Sequence, residues 1–380
     1  MISIIKEIEK LRLNKEYSID RSNTNRYSVV VNESDGSKTY YCFSSPIYNY
    51  KTGRIIDLKF KNDGNEVLSV CSGGEIRIGE HINFQGRDGV FSILLPGKTV
   101  KNNDKVLWFS TKYGVMEISP TLNGLLIKAP YLPGRSVEFG FSTPSKYIRA
   151  RVNNRCFSLM KERFKPLVNI SAIGISDDIG NIIAPLDLKY KKQNSNEFEF
   201  CVSAENKAGK YVVFEIDMHE NKLFQDTTVE SKNTKVNNAF GPIAFIGRTQ
   251  TYGEQWLYSK IELRLLQELI ATKMKKVIIH IPRHNKTNAG ISATRVASRF
   301  CSFGSNWINK IPSSTFICDS EHSADFFSFD VMPLFADTEG LLTVNHGLIF
   351  KPKFKDGSFS VISTADSSYA PMILEINCRR

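Results

Sequence analysis

The sequence predicts an all-β protein of tandem β-sandwich or jelly-roll domains, preceded by one short amphipathic helix. Turn signals that contain Gly, Pro, Asn or Asp recur at roughly ten-residue spacing between Arg26 and Gly134. The runs between these turns are rich in Val, Ile and Phe, and several alternate apolar with polar residues. Alternation at period two is typical of strands that bury one face, and closely spaced turns are typical of sandwiches and barrels.

The helix is predicted at the N-terminus, within residues 1–20. Ile4, Ile5, Ile8 and Leu11 recur at helical spacing and lie opposite charged residues. A helix this short is marginal in isolation, so its apolar face needs a partner. Two interpretations stay open: the helix packs on its own domain, or it docks onto another subunit of an assembly.

Two β-rich regions are predicted after the helix. The first, residues 21–145, is predicted to be a β-sandwich that opens with a hairpin, because Asp35-Gly36 lies between two β-rich runs. The second, residues 146–220, also contains short β-rich runs separated by turn residues. It either forms a domain of its own or belongs to the same domain as residues 21–145.

The C-terminal region, residues 221–380, begins with a strand start at residues 226–229 and a polar loop. An apolar strand ending at Gly247 and an alternating strand that begins at Trp256 follow. Between Glu262 and Lys276 the apolar spacing also fits a helix. We predict a strand that continues to Leu265 and then an irregular connection.

Five short motifs occur in order in this region. They are residues 226–247 (Asp226, Val229, Asn237, Asn238, Gly241, Gly247), Asn306-Trp307 with Pro312, residues 327–331, residues 345–349, and the strand pair 359–363 and 371–376. In this order they resemble the DNRLRE family of carbohydrate-binding-module-like β-sandwich domains, over about residues 224–377. The resemblance implies a jelly-roll module that contacts carbohydrate and that folds without the rest of the chain. Scattered positions before it loosely resemble β-rich regions of wall-associated proteins.

The distribution of charge and cysteine residues limits which ligands and which cysteine chemistry are expected. The net charge is +11, and residues 221–380 carry 19 Lys and Arg against 14 Asp and Glu, so the excess is spread along the chain. An even excess is typical of solubility or of general affinity for polyanions rather than of a nucleic-acid groove. We therefore expect a polysaccharide or acidic glycan as partner, and no nucleic acid. The seven cysteines contain no C-x-x-C pair, which predicts reduced and mostly buried thiols.

The N-terminal residues lack the apolar run of a signal peptide, because charges at Lys6, Glu7, Glu9 and Lys10 interrupt it. No stretch reaches the length of a membrane span. We expect synthesis in the cytoplasm without ordinary secretion. The final location is then a particle, or the surface of a cell or spore.

No catalytic site, metal site or cofactor is predicted. His280 and His284 have the spacing of a metal-binding pair on a helix, but Pro282 forbids a regular helix there. These histidines are better explained by surface exposure or hydrogen bonding. The acidic segment at residues 319–325 lacks the regular oxygen series of a calcium loop, which favours a solvated loop.

The predicted binding site lies on loops of the C-terminal region. Arg248, Tyr252 and Tyr258 surround one loop, and Trp307 lies in another. Aromatic faces stack on sugar rings, and arginine pairs with carboxylates. Trp256 is interpreted instead as a core residue.

These observations predict a non-enzymatic structural or surface protein of a particle assembled in the cytosol. A phage tail or capsid, a phage-like injection device and a spore coat are the settings considered. The C-terminal module is expected to bind carbohydrate or a neighbouring subunit, and self-association is expected. Two alternatives stay open: a polysaccharide-active enzyme with an unrecognised carboxylate site, and a polyanion-binding accessory protein.

Overall fold

The prediction of an all-β chain is confirmed, because nearly all regular structure consists of strands in four antiparallel sheets. The structure is a computed structural model that describes residues 4–12, 16–87, 89–94, 97–142, 149–152, 155–162, 165–191, 197–201, 208–218, 222–262, 274–287, 289–335, 346–353 and 357–378. The predicted end of a strand at Leu265 lies outside these residues. In the described part of the chain, no helix has the length and apolarity needed to cross a membrane.

The elements follow in chain order. The first are α1 (Ile4–Arg12), β1 (Ser18–Ile19), β2 (Ser28–Asn32) and β3 (Lys38–Phe43). Next are β4 (Phe60–Asp63), β5 (Glu66–Cys71), β6 (Gly74–Ile78), β7 (His81–Gly86), β8 (Gly89–Leu94), β9 (Gly97–Asn102), β10 (Leu107–Thr111), β11 (Gly114–Pro120), β12 (Gly124–Pro130), β13 (Val137–Ser142), β14 (Arg149–Val152), β15 (Cys156–Glu162), β16 (Lys165–Ser176), β17 (Ile182–Ala184), β18 (Asp187–Lys191), β19 (Glu197–Cys201) and β20 (Tyr211–Met218). The last are β21 (Phe224–Glu230), β22 (Ile243–Thr249), β23 (Gly253–Ile261), β24 (Met274–Pro282), β25 (Ile291–Val296), β26 (Ser313–Asp319), β27 (Glu321–His322), β28 (Phe326–Asp330), a 3-10 turn (Met332–Leu334), β29 (Leu348–Pro352), β30 (Phe359–Ser363) and β31 (Ile373–Cys378).

Two compact units divide the chain differently from the predicted boundaries. Unit 1 comprises Tyr48–Glu220 with Phe240–Pro242, and unit 2 comprises Ile2–Ile47, Asn221–Ala239 and Ile243–Arg380. The N-terminal residues join the C-terminal region because β3 pairs along its whole length with β31. Unit 1 is therefore inserted into the sequence of unit 2.

Unit 1 contains two sheets that share one apolar core. Sheet A has the strand order β14-β15-β16-β20-β12-β11-β10-β9, with β17 beside β16, and sheet B has the order β18-β19-β13-β8-β7-β6-β5-β4. The two sheets meet through aromatic side chains. Phe214 of sheet A lies 5.1 Å from Phe139 and 4.4 Å from Phe200 of sheet B, between ring centroids.

Unit 2 also contains two sheets around one core. Sheet C has the order β1-β2-β3-β31-β24-β28-β27, and sheet D has the order β26-β25-β29-β23-β22-β30, with β21 paired to β23. Leu257 and Phe350 of sheet D face Leu374 and Phe329 of sheet C in this core. Side chains one position away on each strand point to the opposite, outer face, because successive residues of a strand alternate between faces.

Helix α1 is held on unit 2 by apolar and ionic contacts. Ile4 and Ile8 are buried, whereas Ile5 and Leu11 are half-buried. Arg12 binds the Glu33 carboxylate through two hydrogen bonds of 2.7 and 2.8 Å. This bidentate pair holds the pKa of Glu33 below its usual range. Most of the apolar face that could have docked onto another subunit is thus used within the chain, as the first of the two interpretations predicts.

The six cysteines whose side chains are described are free, as the sequence predicts. Cys42, Cys71, Cys156 and Cys378 are buried, Cys318 is partly buried and Cys301 is exposed. Burial raises the pKa of Cys42 to about 12, which keeps this thiol protonated.

Reduction is therefore expected to leave the melting temperature unchanged. Loss of a structural disulfide would cost about 2–5 kcal/mol and would lower the melting temperature by many degrees. The measurement is thermal unfolding with and without a phosphine reductant. A large downward shift on reduction would contradict the assignment of free thiols.

Candidate functional site

The predicted site residues separate into exposed and buried groups. Arg248 is exposed near the end of β22, and Trp307 is half-buried in the loop at residues 297–312. Tyr252 is only 1% exposed and Tyr258 is fully buried. The prediction that these two tyrosine rings are exposed on loops is therefore wrong, and neither ring face is open to a ligand.

The reason for the burial of Tyr258 is the loop at residues 297–312, which covers part of the outer face of sheet D. Tyr258 packs with Ile349 and Phe300 there, and its hydroxyl donates a 2.6 Å hydrogen bond to the carbonyl of Ile311. Burial raises the pKa of Tyr258 above its ordinary value. The loop leaves the outer face uncovered at its margin.

Two tryptophans lie at that margin. Trp256 is on the outer face of β23 because it alternates with the core residue Leu257, and Trp307 comes from the covering loop. Both indoles are half-buried against the small apolar cluster under the loop. Their ring centroids are 5.1 Å apart and the planes are tilted by 53°.

Two lysines and one glutamate complete this cluster, which we name the tryptophan–lysine patch (Trp256, Trp307, Lys310, Lys351, Glu254). The Lys310 ammonium lies 3.9 Å from the ring centroid of Trp307, and the Lys351 ammonium lies 4.2 Å from that of Trp256. The indole N–H of Trp256 donates to Glu254 Oε1 at 2.8 Å. Cations over indole faces are stabilised by the negative face of the ring.

The patch is positively charged. Arg248 lies directly opposite Glu254 in the β22–β23 ladder, so both residues are on the face that carries Trp256. Three cationic side chains thus face one carboxylate. Burial lowers the pKa of Lys351, and the nearby charge of Lys310 lowers it further. Such a surface attracts anions and offers ring faces for stacking.

A buried polar network supports the loops beside the patch. The Glu230 carboxylate accepts hydrogen bonds from the side-chain amides of Gln255 (3.2 Å) and Asn238 (3.3 Å). The neighbouring Asn237 amide donates to two backbone carbonyls of the loop at residues 297–312, at 2.6 and 2.7 Å. Buried hydrogen bonds of this kind restrict the loop to one conformation.

The two histidines form hydrogen bonds, as the sequence predicts. His284 Nε2 lies 2.8 Å from Ser363 Oγ. His280 lies between Ser328 Oγ (2.8 Å) and Glu375 Oε2 (3.0 Å), which is the order of groups in a hydrolase triad.

This triad-like group lacks the surroundings of a hydrolase. Ser328 is directly opposite His280 on one side and Glu321 on the other, so a carboxylate is on the same face as the hydroxyl. An oxyanion that formed there would be repelled, whereas hydrolases place hydrogen-bond donors at that point. We assign His280 a structural role in the cross-strand hydrogen bonds of sheet C.

The acidic segment at residues 319–325 does not gather into a metal site. Asp319 binds Lys353 at 2.6 Å, and Asp325 lies 3.6 Å from Lys10. Glu321 and His322 are exposed. Across the part of the chain that the structure describes, no group of three His, Cys, Asp or Glu side chains has the arrangement to hold a metal ion.

Neither the scan against protein-family models nor the search of curated proteins found a match for this chain.

Proposed function

We propose that this chain is a non-enzymatic binding and structural protein, and that the tryptophan–lysine patch of unit 2 binds an acidic glycan. The observation that carries the proposal is the pair of half-exposed indoles with an ammonium group over each ring. Indole faces stack on the apolar faces of sugar rings, and ammonium groups pair with carboxylates or sulfates. The patch offers both kinds of contact on one surface.

Ligand binding requires the lysines to move, since they lie over the ring faces that a sugar would use. Lys310 and Lys351 have flexible stems, and their ammonium groups can turn towards an incoming anion. The Glu254 carboxylate holds the Trp256 ring through the indole N–H and so fixes one stacking surface in advance. A ring that is already held loses little conformational entropy on binding.

The wider setting that we propose rests on sequence features. The resemblance of residues 224–377 to the DNRLRE family supports a carbohydrate ligand, and the shared core of each sheet pair supports a β-sandwich in each unit. We place the protein in a particle assembled in the cytosol, such as a phage tail, a capsid, an injection device or a spore coat.

A second candidate is a protein contact with a neighbouring subunit. Ile308 and Phe316 are 65% and 59% exposed, and both lie close in sequence to residues of the patch or its covering loop. Exposed apolar side chains of this size favour a protein interface. The glycan is preferred because three cations surround the tryptophans, whereas the centre of a protein interface is depleted of charged residues such as lysine.

Binding of an acidic oligosaccharide is expected to be weak, with Kd on the order of 10 μM to 1 mM, and to weaken as salt increases. Trp307→Ala should cost about 1–2 kcal/mol through lost stacking, and Arg248→Ala a similar amount through one lost charge-assisted contact. The measurement is titration calorimetry with an oligogalacturonate, a sulfated oligosaccharide and a neutral maltooligosaccharide at two ionic strengths.

The controls are Trp307→Phe, which keeps a ring and should recover part of the affinity, and Lys6→Gln, which removes an exposed charge on α1. Phe316→Ser tests the second candidate, because it should lower self-association without changing glycan affinity. If no glycan binds and Phe316→Ser or Trp307→Ala disrupts a native oligomer, the patch is a subunit interface instead.

A further inference from the structure

All three tryptophans of the chain are half-buried: Trp108 and Trp256 lie on the outer faces of strands, and Trp307 lies in the loop at residues 297–312. Two of them form the patch of unit 2. The third, Trp108, lies on β10 of unit 1 and alternates with the core residues Leu107 and Phe109. A half-exposed indole offers a large apolar ring face at the surface, so Trp108 is a candidate for contact with a ligand.

Trp108 belongs to a row of side chains across four strands of sheet A. Lys101 on β9 is opposite Trp108, Trp108 is opposite Glu117 on β11, and Glu117 is opposite Lys128 on β12. Directly opposite residues of antiparallel strands share a face. Strands are about 4.8 Å apart, so the row extends over roughly 14 Å of surface.

The contacts within this row repeat those of the unit 2 patch. The indole N–H of Trp108 donates to Glu117 Oε1 at 3.4 Å, as that of Trp256 donates to Glu254. The Lys101 ammonium lies 5.4 Å from the Trp108 ring centroid, and the Lys351 ammonium likewise lies over the ring of Trp256. In both units an indole is held by a carboxylate and covered by an ammonium.

The surroundings of the row are open and cationic. Lys98 is opposite Ser110 on the same face, so Lys98, Lys101 and Lys128 lie around Glu117, which is the carboxylate of the row. The apolar side chains beside the row are also uncovered: Val100 is 61% exposed and Val115 is 46% exposed. A cationic sheet face with a half-exposed indole suits an extended polyanion with ring faces.

We propose that the Lys101–Trp108–Glu117–Lys128 row is a second glycan site, which binds a stretch of acidic polysaccharide along the outer face of sheet A. The ligand class rests on the function proposed for unit 2. Trp108 stacks on a sugar ring, and the lysines pair with the carboxylate or sulfate groups of the chain. The free oxygen of Glu117 accepts a sugar hydroxyl.

The role of Glu117 separates a glycan from a single-stranded nucleic acid, the other polyanion with ring faces. Sugar hydroxyls donate hydrogen bonds to a carboxylate, whereas a phosphodiester backbone offers no donor and is repelled by it. A carboxylate that contacts the only indole of the row therefore favours the glycan.

The test uses the full chain labelled with fluorotryptophan, which gives one fluorine NMR resonance for each of the three tryptophans. The resonances are assigned by substituting each tryptophan with phenylalanine in turn. An oligogalacturonate is then added at low salt, and single-stranded DNA is added in a parallel titration. We expect the Trp108 resonance to shift with its own saturation curve, beside those of Trp256 and Trp307.

Charge reversal at the row provides the matched comparison. Lys101→Glu should weaken binding at Trp108 roughly fivefold or more and leave the curves of Trp256 and Trp307 unchanged. Lys189→Glu, a reversal at an exposed lysine of β18 at the opposite edge of sheet B from β4, should change none of the three curves.

Several results would overturn the proposal. If Trp256 and Trp307 respond to the glycan and Trp108 does not, the second site is absent while the function proposed for unit 2 stands. If Trp108 responds to DNA and not to the glycan, the row is a nucleic-acid site. If no resonance responds to any glycan, the function proposed for unit 2 fails together with the second site.

Discussion

A fragment of residues 221–380 is expected to remain unfolded, even though the sequence resemblance implies a complete domain within it. Sheet C takes β1, β2 and β3 from the N-terminal residues, and β3 pairs with β31 from Lys38↔Cys378 to Phe43↔Ile373. Without these strands, β31 becomes an unpaired edge and one side of the unit 2 core loses its cover. The unpaired edge and the uncovered core surface both belong to sheet C.

The free-energy cost is large because the missing strands are buried. Six side chains of β2 and β3 have at most 3% of their surface exposed: Val29, Val30, Val31, Tyr41, Cys42 and Phe43. Full burial of one large apolar side chain contributes about 1.5–3 kcal/mol. The sum is comparable to the whole stability of a typical domain, about 5–15 kcal/mol.

A fusion of residues 2–47 to residues 221–380 is the matched control and is expected to fold. A short Gly-Ser linker suffices because the two ends meet: the Leu223 N–H donates to the Ser44 carbonyl at 3.0 Å, and Lys222 Nζ lies 3.1 Å from Ser45 Oγ. Circular dichroism and the dispersion of amide NMR signals distinguish the two proteins. A well-dispersed spectrum from the fragment alone would show that β1–β3 are dispensable.

The difference between the predicted and observed boundaries has a physical origin. Local patterns predict the β2–β3 hairpin, whose turn contains Gly36 at a φ of 78°, a conformation that glycine adopts at no steric cost. The pairing of β3 with β31 joins residues more than 300 positions apart. Period-two alternation carries no information about which distant strand becomes the neighbour, so the domain boundary was not accessible from the sequence.

Only part of the candidate site could be predicted from the sequence, because local patterns do not show which distant segments come together. Alternation along β23 places Glu254, Trp256 and Tyr258 on one face, and the interpretation of Trp256 as a core residue is wrong because this face points away from the core. Whether that face is covered depends on the loop at residues 297–312, which buries Tyr258 and leaves Trp256 half-exposed. Lys351 joins the patch only through the β23–β29 ladder, so no local signal could have placed it there.

The second large effect is expected on acidification, and His284 is the residue responsible. Its ring lies 2.8 Å from Ser363 Oγ and 3.0 Å from the Tyr369 hydroxyl, and it packs against the Tyr369 ring at 5.1 Å between centroids. Burial lowers the pKa of His284 to about 3. The folded chain therefore keeps this histidine neutral in mild acid.

Acidification lowers the free energy of unfolding because the folded and unfolded states differ in the pKa of His284. In the unfolded chain the pKa of a histidine is about 6.5, so the unfolded state takes up a proton below that pH while the folded state does not. The stability that neutral His284 provides is complete above pH 6.5 and is lost progressively as the pH falls towards 3. The free energy of unfolding should fall by up to about 1.4 kcal/mol per pH unit.

The measurement is urea unfolding at pH 7.5 and pH 5, followed by the fluorine signals of Trp256 and Trp307, which report on unit 2. Between these values His284 accounts for a loss of about 2 kcal/mol in the wild type. The pKa values of Glu33 and Glu375 are below those of ordinary glutamates. The stability that these two carboxylates contribute is therefore complete at pH values above the ordinary glutamate pKa and is lost only at lower pH.

His284→Gln should abolish most of this pH dependence, because glutamine can hydrogen-bond to Ser363 and does not titrate. Its stability at pH 7.5 is expected to be lower than that of the wild type, since an amide does not reproduce the contact with the Tyr369 ring. His81→Gln, at an exposed histidine of β7, is the control and should keep the wild-type difference between the two pH values. An equal loss in His284→Gln and wild type would assign the acid sensitivity to other groups and would mean that His284 is protonated in the folded protein at pH 5.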